Sequence, residues 1–84
     1  MRFDARVEVT LREGIADPEG ATIERALPAL GFEGVREVRA GRSFRLAVDA
    51  DSADAARAVA QSLADRLLAN PVLERATVEV AEAR

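Results

Sequence analysis

The side chains that could carry chemistry in this 84-residue chain are 15 carboxylates, 12 guanidiniums and three serines; there is neither cysteine nor histidine. Nucleophilic pairs of the Ser-His or Cys-His kind are therefore impossible, and acid–base work would fall to carboxylates. Ser43, Ser52 and Ser62 are the serines, and none lies in a strand-to-helix nucleophile elbow. No glycine-rich phosphate loop precedes a lysine, and Gly14-x5-Gly20 lacks the spacing of a dinucleotide fingerprint.

Asp49, Asp51 and Asp54 suggest oxygen ligands for a hard cation, but the stretch lacks the central glycine and terminal glutamate of a calcium loop. They read as a strand end and a helix cap. Asp17 and Glu19, beside Pro18, likewise suit the first turn of a helix, where acidic groups complement the dipole. Arg36, Arg39, Arg42 and Arg45 recur every third residue. On extended chain that period alternates faces, so they read as solvated edge charges, with docking of an acidic partner surface as the alternative.

These residues must be held by elements, and the hydrophobic pattern supplies them. Phe3, Ala5, Val7, Val9 and Leu11 alternate with polar residues, the mark of a strand with one buried face. Asp17-Pro18 opens a helix whose apolar side is Ile23, Leu27 and Leu30 with Ala26 beside them, and Gly31 stops it. Pro28 falls inside that helix and predicts a kink or an irregular last turn. Gly34–Ala40 and Ser43–Asp49 have the length and composition of a β-hairpin joined through Gly41. Phe44, Leu46 and Val48 alternate cleanly, whereas Val35 and Val38 have opposite parity, which predicts a bulge or a sheet edge in the first arm.

Asp51 or Ser52 caps a second helix with Ala56, Val59, Ala60, Leu63 and Leu67 along one side. Asn70-Pro71 ends it. Ala76, Val78 and Val80 then define a last strand. The order β-α-β-β-α-β in a single domain spanning residues 1–84 predicts an α+β, ferredoxin-like sandwich, with a four-stranded antiparallel sheet and both helices on one face. In that topology the first and third strands are central. The opposite sheet face carries Arg6, Glu8, Thr10, Arg45, Ala47, Thr77 and Glu79, so self-association is expected through strand edges or a hairpin reaching across.

Length and charge narrow the function. A domain this short buries only about 60% of its unfolded surface and often needs a disulfide, a metal or a partner. Without cysteine or histidine, association is the remaining candidate. No apolar run approaches a membrane span, and residues 1–11 lack a signal-peptide core, which predicts a cytoplasmic protein. A net charge of −3 argues against a general nucleic-acid binder. The aromatics Phe3, Phe32 and Phe44 all read as buried, which argues against base stacking on an open sheet. All basic residues are arginine.

Four segments, in order, resemble the PurS family: Leu11-Arg12-x-Gly14-Ile15-x-Asp17-Pro18-x-Gly20; Ala26-Leu27-x-x-Leu30-Gly31-Phe32; Val35-x-x-Val38-Arg39-x-Gly41-Arg42; and Leu67-Leu68-Ala69-Asn70-Pro71-Val72-Leu73-Glu74. Together they span nearly the whole chain, and their order and spacing make the likeness specific. Departures are Pro28 inside the first helix, Arg12 and Arg42 where lysine is common, and Ala76 where an aromatic is frequent.

The resemblance implies a non-catalytic subunit of phosphoribosylformylglycinamidine (FGAM) synthase, a glutamine-dependent, ATP-consuming C–N ligase of purine biosynthesis. Such a subunit acts as a homodimer, or a tetramer, joining the synthetase PurL to the glutaminase PurQ so that ammonia passes between their sites. It implies no catalytic residue, metal or cofactor in this chain, with ATP and Mg used by the complex. Arg39, Gly41 and Arg42 at the hairpin tip and Asp17, Asn70 and Pro71 in turns become the candidate docking residues, since exposed turns on a rigid scaffold carry contacts. Turn geometry alone also explains Gly41 and Pro71. A regulatory small-ligand module of the ACT type is the alternative, sharing the element order and a turn like Asp17-Pro18-Glu19-Gly20. An acylphosphatase-like enzyme ranks below it, because Glu13 to Ala16 contains no arginine.

Overall fold

A computed structural model of the chain describes residues 1–83. Strand β1 (Arg2–Leu11) is followed by helix α1 (Pro18–Ala26) and a 3₁₀ turn (Pro28–Leu30). Strand β2 (Gly41–Asp49), helix α2 (Ala53–Leu63) with a π turn (Ala64–Leu68), and strand β3 (Glu74–Glu82) complete the fold.

Among the described residues the sheet has three strands, not four, in the order β2-β1-β3, all antiparallel. The expected hairpin is absent because Gly34–Ala40 does not form its first arm. Gly34 (φ 78°) and Glu37 (φ 61°) both enter the left-handed region, which interrupts extended chain. The segment's amides are then taken by side chains: Val38 N–H donates to Glu24 Oε1 at 2.9 Å and Ala40 N–H to Asp17 Oδ2 at 2.7 Å. Those donors are no longer free for a neighbouring strand. The ferredoxin-like plan thus lacks its second strand, and β2, expected in the centre, becomes an edge. Only β1 is central.

β1 organises the core. Phe3, Ala5, Val7 and Val9 are all buried along its inner face and stand opposite Val48, Leu46, Phe44 and Arg42 of β2. On the other side Ala5, Val7 and Val9 face Val80, Val78 and Ala76 of β3. α2 starts where Ser52 Oγ accepts the Ala55 N–H at 3.1 Å. It lies on this face with Ala56, Ala60 and Ala64 fully buried. Three methyl groups at four-residue spacing let the helix backbone sit low on the sheet. It covers β3 and β1 more than β2, so Phe44 and Leu46 are only half-buried.

The second correction concerns α1, which does not pack on the sheet. Gly20 is its one buried residue, and its main neighbour is the 3₁₀ turn that follows. Pro28 has the effect foreseen for it: the helix ends at Ala26 and a tighter turn runs to Gly31, whose φ of 89° stops it. Ile23, Leu30, Phe32 and Val35 are exposed. Phe32, expected inside, is 56% exposed because the arm that carries it stands off the body.

The result is an open shape. The Cα radius of gyration is 16.3 Å, with extents of 51 × 30 × 15 Å, where a compact chain of this length would have a radius of about 12 Å. The accessible surface is 6282 Å², against about 4,900 Å² for a compact monomer of this mass. Close contact of the alanine face with the sheet predicts that Ala60→Leu destabilises the chain by about 1–3 kcal/mol through overpacking, read as a lower urea midpoint.

Candidate functional site

β1 ends at Leu11 beside the start of β3 at Glu74, and Thr10 pairs with Gly41 at the start of β2. The candidate docking residues therefore gather at one end of the sheet, where the chain leaves β1 and enters β2 and β3. They form two polar clusters.

The first is built on Asp17. Its Oδ1 accepts the Gly20 N–H at 3.0 Å, capping α1, and its Oδ2 accepts the Ala40 N–H at 2.7 Å, just before β2. One carboxylate thus joins the beginning of the arm to its end. Glu24, about two helical turns beyond Asp17, accepts the Val38 N–H, and Arg39 Nη2 donates to the Ile15 carbonyl at 3.2 Å. Gly20 is required by space: a Cβ there would collide with the Val38 carbonyl and the Asp17 carboxylate. The Gly20 N–H, then that of Ala40, holds the Asp17 carboxyl below the usual carboxylate range. Arg39 adds to this and burial opposes it.

The second cluster is built on Glu74. Its carboxylate accepts the Asn70 N–H at 2.8 Å and pairs with Arg42 Nη2 at 3.0 Å. Arg42 also donates to the Leu68 carbonyl at 3.3 Å, and its guanidinium lies 5.6 Å from the centre of the Phe44 ring. The turn after α2 closes on itself, with Val72 N–H on Asn70 Oδ1 at 3.1 Å and Glu74 N–H on the Asn70 carbonyl at 2.7 Å. Arg12 ties this turn to β1 through its Nε on the Pro71 carbonyl at 3.0 Å. The Asn70 N–H is the main cause of a lowered Glu74 pKa, with Arg42 assisting against partial burial.

Of the six residues singled out in the sequence, Asp17 is buried and the other five are exposed. Arg39, Gly41 and Arg42 do not sit at a hairpin tip, because no hairpin forms. Gly41 instead opens β2, where a Cβ would lie 2.7 Å from the Val9 carbonyl oxygen. Asn70 and Pro71 occupy the expected turn. Three participants were not singled out: Glu24, Glu74 and Arg12. The signal for Glu24 is its helical spacing from Asp17 through Gly20, which puts both carboxylates on the side facing the returning chain. Among the described residues no group of acidic side chains is placed to hold a metal ion.

A family model described as PurS: Phosphoribosylformylglycinamidine (FGAM) synthase matches residues 4–82. A chain named phosphoribosylformylglycinamidine synthase subunit PurS in Archaeoglobus fulgidus is 38% identical over 74 residues, covering 88% of this chain and 92% of that one. The PurS subunit of Mycobacterium leprae is 42% identical over 74 residues, 88% and 90% of the two chains. The structure of Thermus thermophilus PurS superposes with a TM-score of 0.88 at 34% identity, covering all of both chains. A chain in the structure of PurLQS from Thermotoga maritima superposes with a TM-score of 0.88 at 32% identity, covering 96% and 99%.

The lowered pKa of Asp17 sets a pH dependence. A carboxylate whose pKa falls on folding stabilises the native state above its unfolded value near about 4, and that contribution is lost as pH drops through the lower folded value. Asp17→Asn should therefore lower the urea midpoint at pH 7. It should also flatten the decline of that midpoint between pH 5 and pH 2.5 relative to the natural chain.

Proposed function

The chain belongs to the PurS family, a subunit of FGAM synthase in purine biosynthesis, and from this premise we propose that it is a non-catalytic homodimeric bridge between the synthetase and glutaminase subunits. The observation that carries this reading is the surface the monomer leaves uncovered. The chain exposes about 1,400 Å² more than a compact monomer of its mass, while a standard interface takes about 800 Å² from each partner. A fold this open is completed by other proteins.

The polar clusters fit the same reading. The oxygens of Asp17 and Glu74 hold backbone amides and Arg42. Such groups fix turns in place and do not offer a proton to a substrate. The turn that suggested a regulatory small-ligand module, Asp17-Pro18-Glu19-Gly20, is accounted for as a helix cap with both carboxylate oxygens engaged. The structure from Thermotoga maritima is of PurLQS, and by homology this chain would meet the corresponding synthetase and glutaminase.

In the proposed assembly the partner subunits carry out the chemistry: glutamine is hydrolysed at one, and its ammonia is joined to formylglycinamide ribonucleotide at the other with ATP and Mg. This chain holds the two sites in register, binding no cofactor itself and working in the cytoplasm. Among its described residues no helix is long and apolar enough to cross a membrane. Arg39, Asn70 and Pro71 are exposed at the sheet end and are the proposed docking contacts, positioned by Asp17, Gly41 and Arg42.

Reconstitution with the two larger subunits tests this. Omitting the chain should lower the glutamine-dependent rate by about tenfold or more, the scale on which tethered transfer exceeds diffusion. The rate with added ammonium should change far less. Equal glutamine-dependent rates with and without the chain would remove the bridging role.

A further inference from the structure

The turn between α2 and β3 puts apolar side chains where nothing of this chain covers them. Pro71, Val72 and Leu73 are consecutive and exposed, Val72 to 77%. A lone surface valine needs no explanation, but three apolar residues in succession on a loop make a patch. This patch is also rigid. Inside the turn the Val72 N–H donates to Asn70 Oδ1 at 3.1 Å, while the Leu73 and Glu74 N–H groups share the Asn70 carbonyl at 3.1 and 2.7 Å. From outside, Arg12 holds it twice: its Nε donates to the Pro71 carbonyl at 3.0 Å and its backbone N–H to the Leu73 carbonyl at 2.9 Å. A side chain fixed in this way loses little further freedom on binding, which is what lets a few preorganised residues carry an interface.

The charges on the segment narrow what it can meet. Arg66 and Arg75 flank the patch along the chain, and the carboxylate between them, Glu74, is matched by Arg42 in an ion pair. Arg12 adds a third cation, with Glu13 beside it as the opposing carboxylate. In a chain of net charge −3 this spot is basic. The apolar groove on α2, between Val59, Leu63 and Leu67, is bordered by Arg66, so a second copy would set arginine against arginine. Three residues span about 10 Å of chain. That is room for one contact, so one larger subunit takes the patch and the other meets a different part of the chain.

We propose that Val72, carried on this braced turn, is the apolar anchor by which the chain docks one of the two larger subunits, in an apolar pocket rimmed by carboxylates that meet Arg12, Arg66 and Arg75. This rests on the bridging reading above and adds to it the residue that makes the contact and the chemistry of the surface that receives it.

Calorimetric titration of the full chain into the purified synthetase and, separately, the glutaminase tests this. Val72→Ala should weaken binding to one of them about tenfold and leave the other unchanged, whereas Val72→Ile should keep the natural affinity. Asn70→Ala, which keeps every apolar atom of the patch and releases the Val72 N–H, should weaken the same contact about fivefold. Raising salt from about 0.05 to 0.5 M should weaken it as well, since charge pairs at the rim are screened. Equal losses against both subunits would reveal a general defect in the fold, and no loss against either an idle patch; each result overturns the proposal. So does a weaker dimer of Val72→Ala in sedimentation, which would assign the patch to a second copy. A natural chain that binds neither subunit would overturn the bridging reading itself, and the anchor with it.

Discussion

The two hydrogen bonds accepted by the Asp17 carboxylate govern the shape of this molecule. One starts α1 and the other binds the residue that precedes β2, so the chain between them is closed into a loop whose ends are fixed side by side. Without that bridge, residues 18–40 would be free to lie over the sheet or to pair with β2. With it, they form an arm anchored at its base, and the sheet goes without a fourth strand. This buried carboxylate acts with the Glu24–Val38 bond and the left-handed residues Gly34 and Glu37 to set the open architecture.

The core that carries this arm is small and depends on one strand. β1 pairs along both edges and supplies four buried side chains, while α2 closes the same face with alanines. Among the described residues Phe3 is the one large side chain buried in this core, the others being valines and alanines. Apolar transfer at about 25 cal/mol per Å² therefore gives this body less than a chain of this length could gain if its remaining leucines, isoleucines and phenylalanines were covered. Leu30, Leu67 and Phe32 are the uncovered reserve. Assembly and stability draw on the same residues.

The sequence was legible where side-chain periodicity reflects burial in the chain's own core. β1, β2, α2 and β3 all show their period directly, and Ser52, Asp17 and Gly31 act as the caps and stop their types suggest. It misled where a periodic apolar face is left uncovered by the chain's own core. Ile23, Leu27 and Leu30 have the spacing of a core helix, yet Ile23 and Leu30 are exposed and α1 does not pack on the sheet. The segment before Gly41 failed for another reason. Its amides are satisfied by Glu24 and Asp17, 14 and 23 residues away, and a bond from backbone to a distant side chain leaves no local pattern. The opposite parity of Val35 and Val38 was the one visible trace.

The docking candidates were found as residue types more than as roles. Asn70-Pro71 and Arg39 lie in exposed positions as their turns suggest, whereas Asp17 and Arg42 serve the frame that holds those turns. The thinness of that frame bears on the ammonia transfer proposed for the assembly. The molecule is 15 Å deep along its shortest axis, and the layer between helix and sheet is closed by Val7, Ala56, Ala60 and Ala64, none of which retains any contact with solvent. In the proposed assembly, a small uncharged molecule handed from one catalytic chamber to the next would therefore travel beside this packed layer and not through it.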